Sequence, residues 1–232
     1  MSARILVLGD HNTRHSTHRE LDAVLDRFRA RGLTAAWRAT DAPGPVPEHD
    51  GLWIAPGSPY RDEPAVLAAI GAARRDGTPL LGTCGGFQFA ALELGRAVAG
   101  VPDPRHAESS PAAPAPFIAP LGCRVDGERR TVTTTPGTRL AQLLGDEPFD
   151  GLFFCGYAPS PAAAAALEAA GIPVTARAQG IGAVALELPG HPFFLATLFH
   201  PQAGTLAGAP LSPLIEAFAA AAMDHARVAV VV

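Results

Sequence analysis

Aliphatic and polar positions along the chain alternate in a way that predicts strands and helices in turn. Residues 4–9 (RILVLG) form a short aliphatic run that stops at Gly9-Asp10, as a strand buried on both faces would. Apolar residues then recur at Leu21, Val24, Leu25 and Phe28, one face of a helix. Thr17 and Glu20 have capping-box spacing before it, and Gly32 stands where a C-terminal cap belongs. Residues 33–38 and 52–55 predict two more strands, the second ending in the Pro56-Gly57-Ser58-Pro59 loop. A helix is expected over about 64–75, with Pro64 in its first turn and Gly77 at its exit. Strand 79–83 and a long helix from 85 to about 99 follow. Repeated strand–helix alternation implies a mostly parallel sheet covered on both faces.

The second half is less regular. Residues 101–120 are dense in Pro, Ala and Ser, which excludes a helix interior or a central strand and predicts a long surface loop. Residues 123–135 alternate around Asp126-Gly127, a hairpin signal, and 151–157 read as another strand. An Ala-rich helix over 161–170, strands at 174–179, 183–188 and 193–199, and a terminal helix from Pro213 to about Ala226 complete the pattern. The apolar end 228–232 has no place in it. The expected architecture is therefore one α/β domain spanning 1–232, with a mostly parallel central sheet flanked by helices and an added antiparallel portion.

Composition narrows the functional classes. With 48% hydrophobic and 17% charged residues, the chain can bury a sizeable core and does not have the character of a disordered segment. A formal charge of -4 with scattered arginines gives no electrostatic reason to bind nucleic acid or an anionic membrane, so a small molecule is the expected partner. No basic leader or long apolar span stands out, and a cytoplasmic location is expected. Cys84, Cys123 and Cys155 are odd in number and form no CxxC pair, which argues against a disulfide framework and a zinc site. No Walker loop or GxGxxG occurs, and no cofactor is implied.

The candidate chemistry lies at Gly82-Thr83-Cys84-Gly85-Gly86, a G-x-C-x-G turn between an aliphatic strand and a helix. Such a turn forces its central residue into strained dihedrals and brings main chain close, so the flanking positions need residues without Cβ. The helix N-terminus behind it would favour thiolate and acidify Cys84. Amides of Gly85 and of the Gly57 loop, both expected at one edge of a parallel sheet, would form an oxyanion hole. Phe199-His200-Pro201 follows an aliphatic strand, where His200 would serve as general base. Taken singly, Cys84 also reads as a small buried residue and His200 as a structural one; together they favour catalysis.

Together with Gln88, the 95–108 segment and His191-Pro192-Phe193-Phe194, these residues resemble the class I glutamine amidotransferases, and in particular the C-terminal glutaminase domain of CTP synthase. The likeness implies a flavodoxin-like fold. Cys84 would attack an amide carbonyl, His200 would shuttle the proton, and a thioester would release ammonia before hydrolysis. Gly57 would hold the oxyanion, while Ser58, Gln88, Glu108 and Tyr157 would line the substrate pocket. The resemblance does not extend to the amidoligase portion that consumes ammonia in CTP synthase, so a separate acceptor of ammonia is expected.

Two positions depart from the family pattern. The triad acid is replaced by Gln202, a neutral amide that orients an imidazole without stabilising its charge. An arginine that contacts glutamine is replaced by Gly156, so free glutamine would bind poorly and a different amide is expected. Arg61 or Arg105 would substitute from neighbouring loops, or would simply be surface charges. His11, His15 and His18 lack carboxylate or Cys partners in the pattern and read as a polar loop at the pocket mouth, with Asp10 and Asn12 nearby. Cys123 and Cys155 read as packing residues. Three functional readings remain: an amidase in which Cys84 is labelled faster than Cys123 or Cys155, a non-catalytic homologue binding a metabolite or partner, and a glutaminase subunit serving a separate synthetase or a homo-oligomer.

Overall fold

In the computed structural model, which describes residues 2–229, strands and helices follow the expected order through the first half. β1 (Arg4–Leu8), α1 (Ser16–Ala30), β2 (Thr34–Arg38), β3 (Gly51–Ile54), α2 (Glu63–Asp76), β4 (Leu80–Thr83) and α3 (Gly85–Ala97) alternate. Then come β5 (Ile118–Thr134), α4 (Arg139–Leu144), β6 (Phe149–Pro159), α5 (Pro161–Ala169), β7 (Val174–Ala178), β8 (Gly182–Glu187), β9 (Phe194–Thr197) and α6 (Pro213–Ala229). Local chemistry sets several ends. The Asp62 side chain accepts from the Ala65 amide at 2.8 Å at the start of α2, and Gly77 ends it at φ +74°.

All these strands join one sheet in the order β2-β1-β3-β4-β9-β8-β7-β5-β6. The five strands from β2 to β9 run parallel, and β8, β7, β5 and β6 extend the sheet antiparallel. Helices cover both faces because successive residues of a buried strand point opposite ways. In β3, Trp53 packs edge-on against Phe218 of α6, while Ile54 lies so close to α3 that a Cβ on Gly86 would stand 2.3 Å from the Ile54 carbonyl oxygen. The insertion of β9 beside β4 positions the candidate site. Thr83 pairs with Thr197 and the Cys84 amide donates to the Thr197 carbonyl at 2.8 Å, so Cys84 and His200 leave the same sheet edge.

Three sequence expectations change, and one helix is added. The Thr17–Glu20 capping box does not form: α1 begins at Ser16 behind His15, which provides no side-chain cap, and the Glu20 carboxylate instead accepts from the Leu206 amide at 2.6 Å. Asp126-Gly127 is not a hairpin. β5 continues through it with a register shift, because Gly127 at φ +72° absorbs an extra residue without reversing the chain. The 101–120 stretch lacks a named element up to Phe117, but Ile118–Pro120 already pair in β5 and His106, Ala107 and Phe117 are buried. Helix α4, capped by the Thr138 hydroxyl on the Ala141 amide, had no sequence signal strong enough to mark it. Within the apolar end, Val228 lies exposed on the last turn of α6, and 230–232 fall outside the described residues.

Candidate active site

Glycine makes the turn after β4 possible. A Cβ on Gly82 would meet the Gly86 carbonyl at 2.8 Å, and one on Gly85 would meet the Gly57 carbonyl at 2.9 Å. Between them Cys84 adopts φ +53° and ψ −107°, and among the described residues it alone has positive φ without being glycine. A side chain held in that region costs on the order of 1–3 kcal/mol. The strain thus falls on the residue that carries the thiol.

The backbone amides of Gly85 and Gly57, on the two loops that meet at the turn, favour the charged form of the Cys84 sulfur. Burial outweighs them. Only 8% of Cys84 is exposed, and loss of solvent pushes the thiol up to about 11, aided by the Glu108 carboxylate and opposed by Arg124. Burial works against the expected acidification, because desolvation penalises a thiolate here more than the nearby amides stabilise it. Sγ instead donates to the Phe154 carbonyl at 3.4 Å.

His200 faces the same cavity. Its Nδ1 lies 3.1 Å from the Gln202 amide nitrogen, while its Nε2 and the Gln202 Oε1 are buried without hydrogen-bond partners among the described residues. Burial pushes the imidazole down to about 3, with His18 a further, smaller cause. The resting pair is a neutral thiol and a neutral ring. Amide orientation decides what the ring can do: with the Gln202 nitrogen toward Nδ1, the ring proton sits on Nε2, whereas turning the amide lets Oε1 accept from Nδ1–H and frees the Nε2 lone pair.

A cavity of about 320 Å³ opens above the thiol. Gly57, Ser58, Gln88, Glu108, Gly156 and Tyr157 all line it, and one Glu108 oxygen is buried without a partner among the described residues. Gln88 is fixed from three sides. Its nitrogen donates to the Tyr157 carbonyl at 2.9 Å, and its oxygen accepts from His106 Nε2 at 3.0 Å and more weakly from Ser58 at 3.4 Å. Arg105 does not reach the cavity: it pairs with Asp103 at 2.6 Å and lines a separate pocket with Glu63 and Leu67. Arg61 pairs with Asp41 at 3.6 Å on the surface, also away from it. Each is held by an acidic neighbour instead.

Two arginines missed by the sequence reading line the cavity, Arg14 and Arg124. Arg124 projects from β5 over Gly156 of β6, its Cγ 3.8 Å and its Nη1 3.9 Å from where a Cβ on that glycine would stand. His106 was also missed. Its role in holding Gln88 depends on a contact across 18 positions that no local motif marks. At the cavity mouth, His15 and His18 stand with Thr17, whereas His11 turns to Asp22 at 3.0 Å. Both His18 nitrogens are committed to protein groups, the Asn12 amide at 3.0 Å and the Pro56 carbonyl at 2.8 Å. Asp10 lies outside, accepting from the amides of Thr40 and Arg61, and Asn12 Oδ1 accepts from the Arg14 amide. Cys155 is buried at the cavity wall; Cys123 is exposed. His191 of the His-Pro-Phe-Phe run is buried against α2, donating to the Ala73 carbonyl at 3.1 Å.

Among the described residues, no helix is long and apolar enough to cross a membrane. The family model described as glutamine amidotransferase class-I matches residues 21–205. The CTP synthase of Archaeoglobus fulgidus is 32% identical over 188 residues, covering 77% of this chain and 35% of that protein. That of Methanosphaerula palustris is 36% identical over 160 residues, covering 66% and 30%. The chain thus spans about a third of the length of these relatives. Among solved structures, the glutaminase domain of Trypanosoma brucei CTPS with bound acivicin superposes with a TM-score of 0.77 at 21% identity, covering 96% of this chain and 94% of that one. A glutamine amidotransferase from Thermotoga maritima gives 0.61 at 14% identity, covering 99% and 86%.

Proposed function

This chain belongs to the class-I glutamine amidotransferase family, and on that premise we propose that it hydrolyses the side-chain carboxamide of a small α-amino acid through a thioester on Cys84. The observation that carries the reading is the strained Cys84 turn, opening on the same cavity as a buried imidazole whose Nε2 has no partner among the described residues.

In the proposed reaction the Gln202 amide turns its oxygen to Nδ1–H, leaving the His200 Nε2 lone pair toward the thiol. The thiol proton passes from its contact with Phe154 to Nε2 as sulfur bonds to the amide carbon. Forming thiolate and imidazolium together avoids the separate penalties that hold the thiol at about 11 and the ring at about 3. The carbonyl oxygen gains the electron pair and is held by the Gly57 and Gly85 amides. Its collapse expels the amine, which takes the proton from Nε2 and leaves as ammonia. Water then gives a proton to His200, attacks the thioester and releases the acid, restoring the thiol.

Arg124 supplies the positive charge that Gly156 lacks, and it reads as the partner of a substrate carboxylate. Glu108, with one oxygen unpartnered among the described residues, suits the substrate ammonium. This pair supports an α-amino acid with a side-chain amide, glutamine included, as the substrate class. A synthetase on another chain or a second copy of this one would be the ammonia acceptor or assembly partner in the same proposal. Gln202 supports a second reading, a binding homologue with little turnover, because an amide cannot stabilise the imidazolium as a carboxylate does.

The test is ammonia release from glutamine and from a panel of other carboxamides, using the full chain and Cys84→Ala. Release from glutamine that vanishes in Cys84→Ala is expected. Glutamine binding without release from any amide would favour the second reading.

A further inference from the structure

We propose that His18 is a positioning residue that holds the Pro56–Gly57 peptide with its N–H turned toward Cys84. The inference rests on the reading above that the Gly57 amide serves an oxyanion. His18 lies in the first turn of α1 and is 3% exposed. Its protonation state follows from its partners. Nδ1 accepts from the Asn12 amide at 3.0 Å and must carry a lone pair, so the ring proton is on Nε2, 2.8 Å from the Pro56 carbonyl oxygen.

That carbonyl and the Gly57 N–H belong to one planar trans peptide, in which C=O and N–H point in opposite directions. Drawing the oxygen toward the imidazole therefore turns the N–H away from it, toward the side of Gly57 that shares the cavity with Cys84, where this amide favours charge on the sulfur. An outside restraint is needed because Gly57 has φ +105° and no Cβ, so rotation of this peptide meets little steric resistance. The fit is close. A Cβ at Gly57 would stand 3.4 Å from His18 Nε2. The imidazole is itself held by its neighbours, with Trp37 at 5.1 Å and His11 at 5.9 Å between ring centroids, and both of those rings are tied to Asp22. Burial favours its neutral form, the one with both bonds intact.

The experiment compares His18→Phe, which keeps ring packing without the bond, and His18→Gln, which keeps a donor. For each, kcat and KM for glutamine are measured beside alkylation of Cys84 by iodoacetamide, a displacement that builds no oxyanion. His18→Phe is expected to lower kcat by about 10²–10³, the loss typical of one oxyanion donor. KM should hold within about threefold, alkylation within about fivefold, and His18→Gln should recover at least about tenfold in kcat. Unchanged kcat in His18→Phe, or alkylation falling in step with kcat, overturns the proposal. Crystal structures of wild type and His18→Phe give a readout that needs no turnover: the Pro56–Gly57 peptide should be rotated in the variant, and an unmoved peptide overturns the inference. A wild type that releases no ammonia but shows that rotation counts against the glutaminase reading alone.

Discussion

Arg124 occupies the space that the missing side chain of Gly156 leaves open, its Nη1 standing 3.9 Å from the position of the absent Cβ. The guanidinium enters the cavity from β5 rather than from β6. Arg124→Ala should therefore raise KM for glutamine by about 10- to 100-fold, the worth of a charged hydrogen bond of roughly 1.5–3 kcal/mol. Moving the charge in the double variant Arg124→Ala/Gly156→Arg should restore part of it. Steady-state kinetics decide, and an unchanged KM in Arg124→Ala would remove this residue from substrate recognition.

Gln202 sits 3.1 Å from His200 Nδ1 and is fully buried. In Gln202→Glu a carboxylate would accept from Nδ1–H and stabilise the imidazolium, so kcat should rise by about tenfold. The gain is smaller than the roughly 10⁴ seen for a serine nucleophile because a thiol needs less help. Burying the new charge should also lower Tm by a few degrees, about 1–3 kcal/mol of stability for a small domain. A fall in kcat with intact folding would refute the triad assignment.

Because burial holds the Cys84 thiol near 11, its alkylation by iodoacetamide should climb about tenfold per pH unit from about 7 to 9 without levelling. Exposed Cys123 should react before it, contrary to the order expected from the turn motif alone. A glutamine-shaped chloroketone should reverse that order by docking at Arg124. Site-resolved mass spectrometry reads both, and a plateau for Cys84 below about pH 8 would show an acidified thiol after all.

His106 and His200 are pushed down to about 4 and about 3 by burial. Below about pH 6.5 the unfolded chain protonates both histidines while the folded chain leaves them neutral, so the unfolded state binds more protons and stability falls as pH falls. Between about pH 6 and 4 the two together should remove on the order of 2–3 kcal/mol per pH unit. Denaturant melts from about pH 8 to 5 should show the decline beginning near 6.5. His106→Gln, which drops one titrating group, should flatten it; equal slopes would assign the decline to other groups.

The sequence was most informative where structure depends on neighbours in the chain. Cys84 needs Gly82, Gly85 and Gly86 close beside it, so the turn is readable locally. His200 follows because it ends a recognisable aliphatic run. Arg124 could not be read this way: its place over Gly156 depends on a cross-strand register containing an irregularity between Pro120 and Val125. His18 and His106 escaped for a related reason, since each takes its meaning from an oxygen supplied by a distant segment, the Pro56 carbonyl or the Gln88 side chain. The Thr17–Glu20 pair failed because a tertiary partner, the Leu206 amide, won the carboxylate.

Glycine would adopt the backbone at position 84 with less strain than any other residue. Cys84→Gly should accordingly melt higher than the natural chain, with a gain of about 1–3 kcal/mol from relieved torsion, less what the lost side chain contributes by packing. Torsion at position 84 favours a residue without a side chain, so the thiol there runs against what folding alone would prefer.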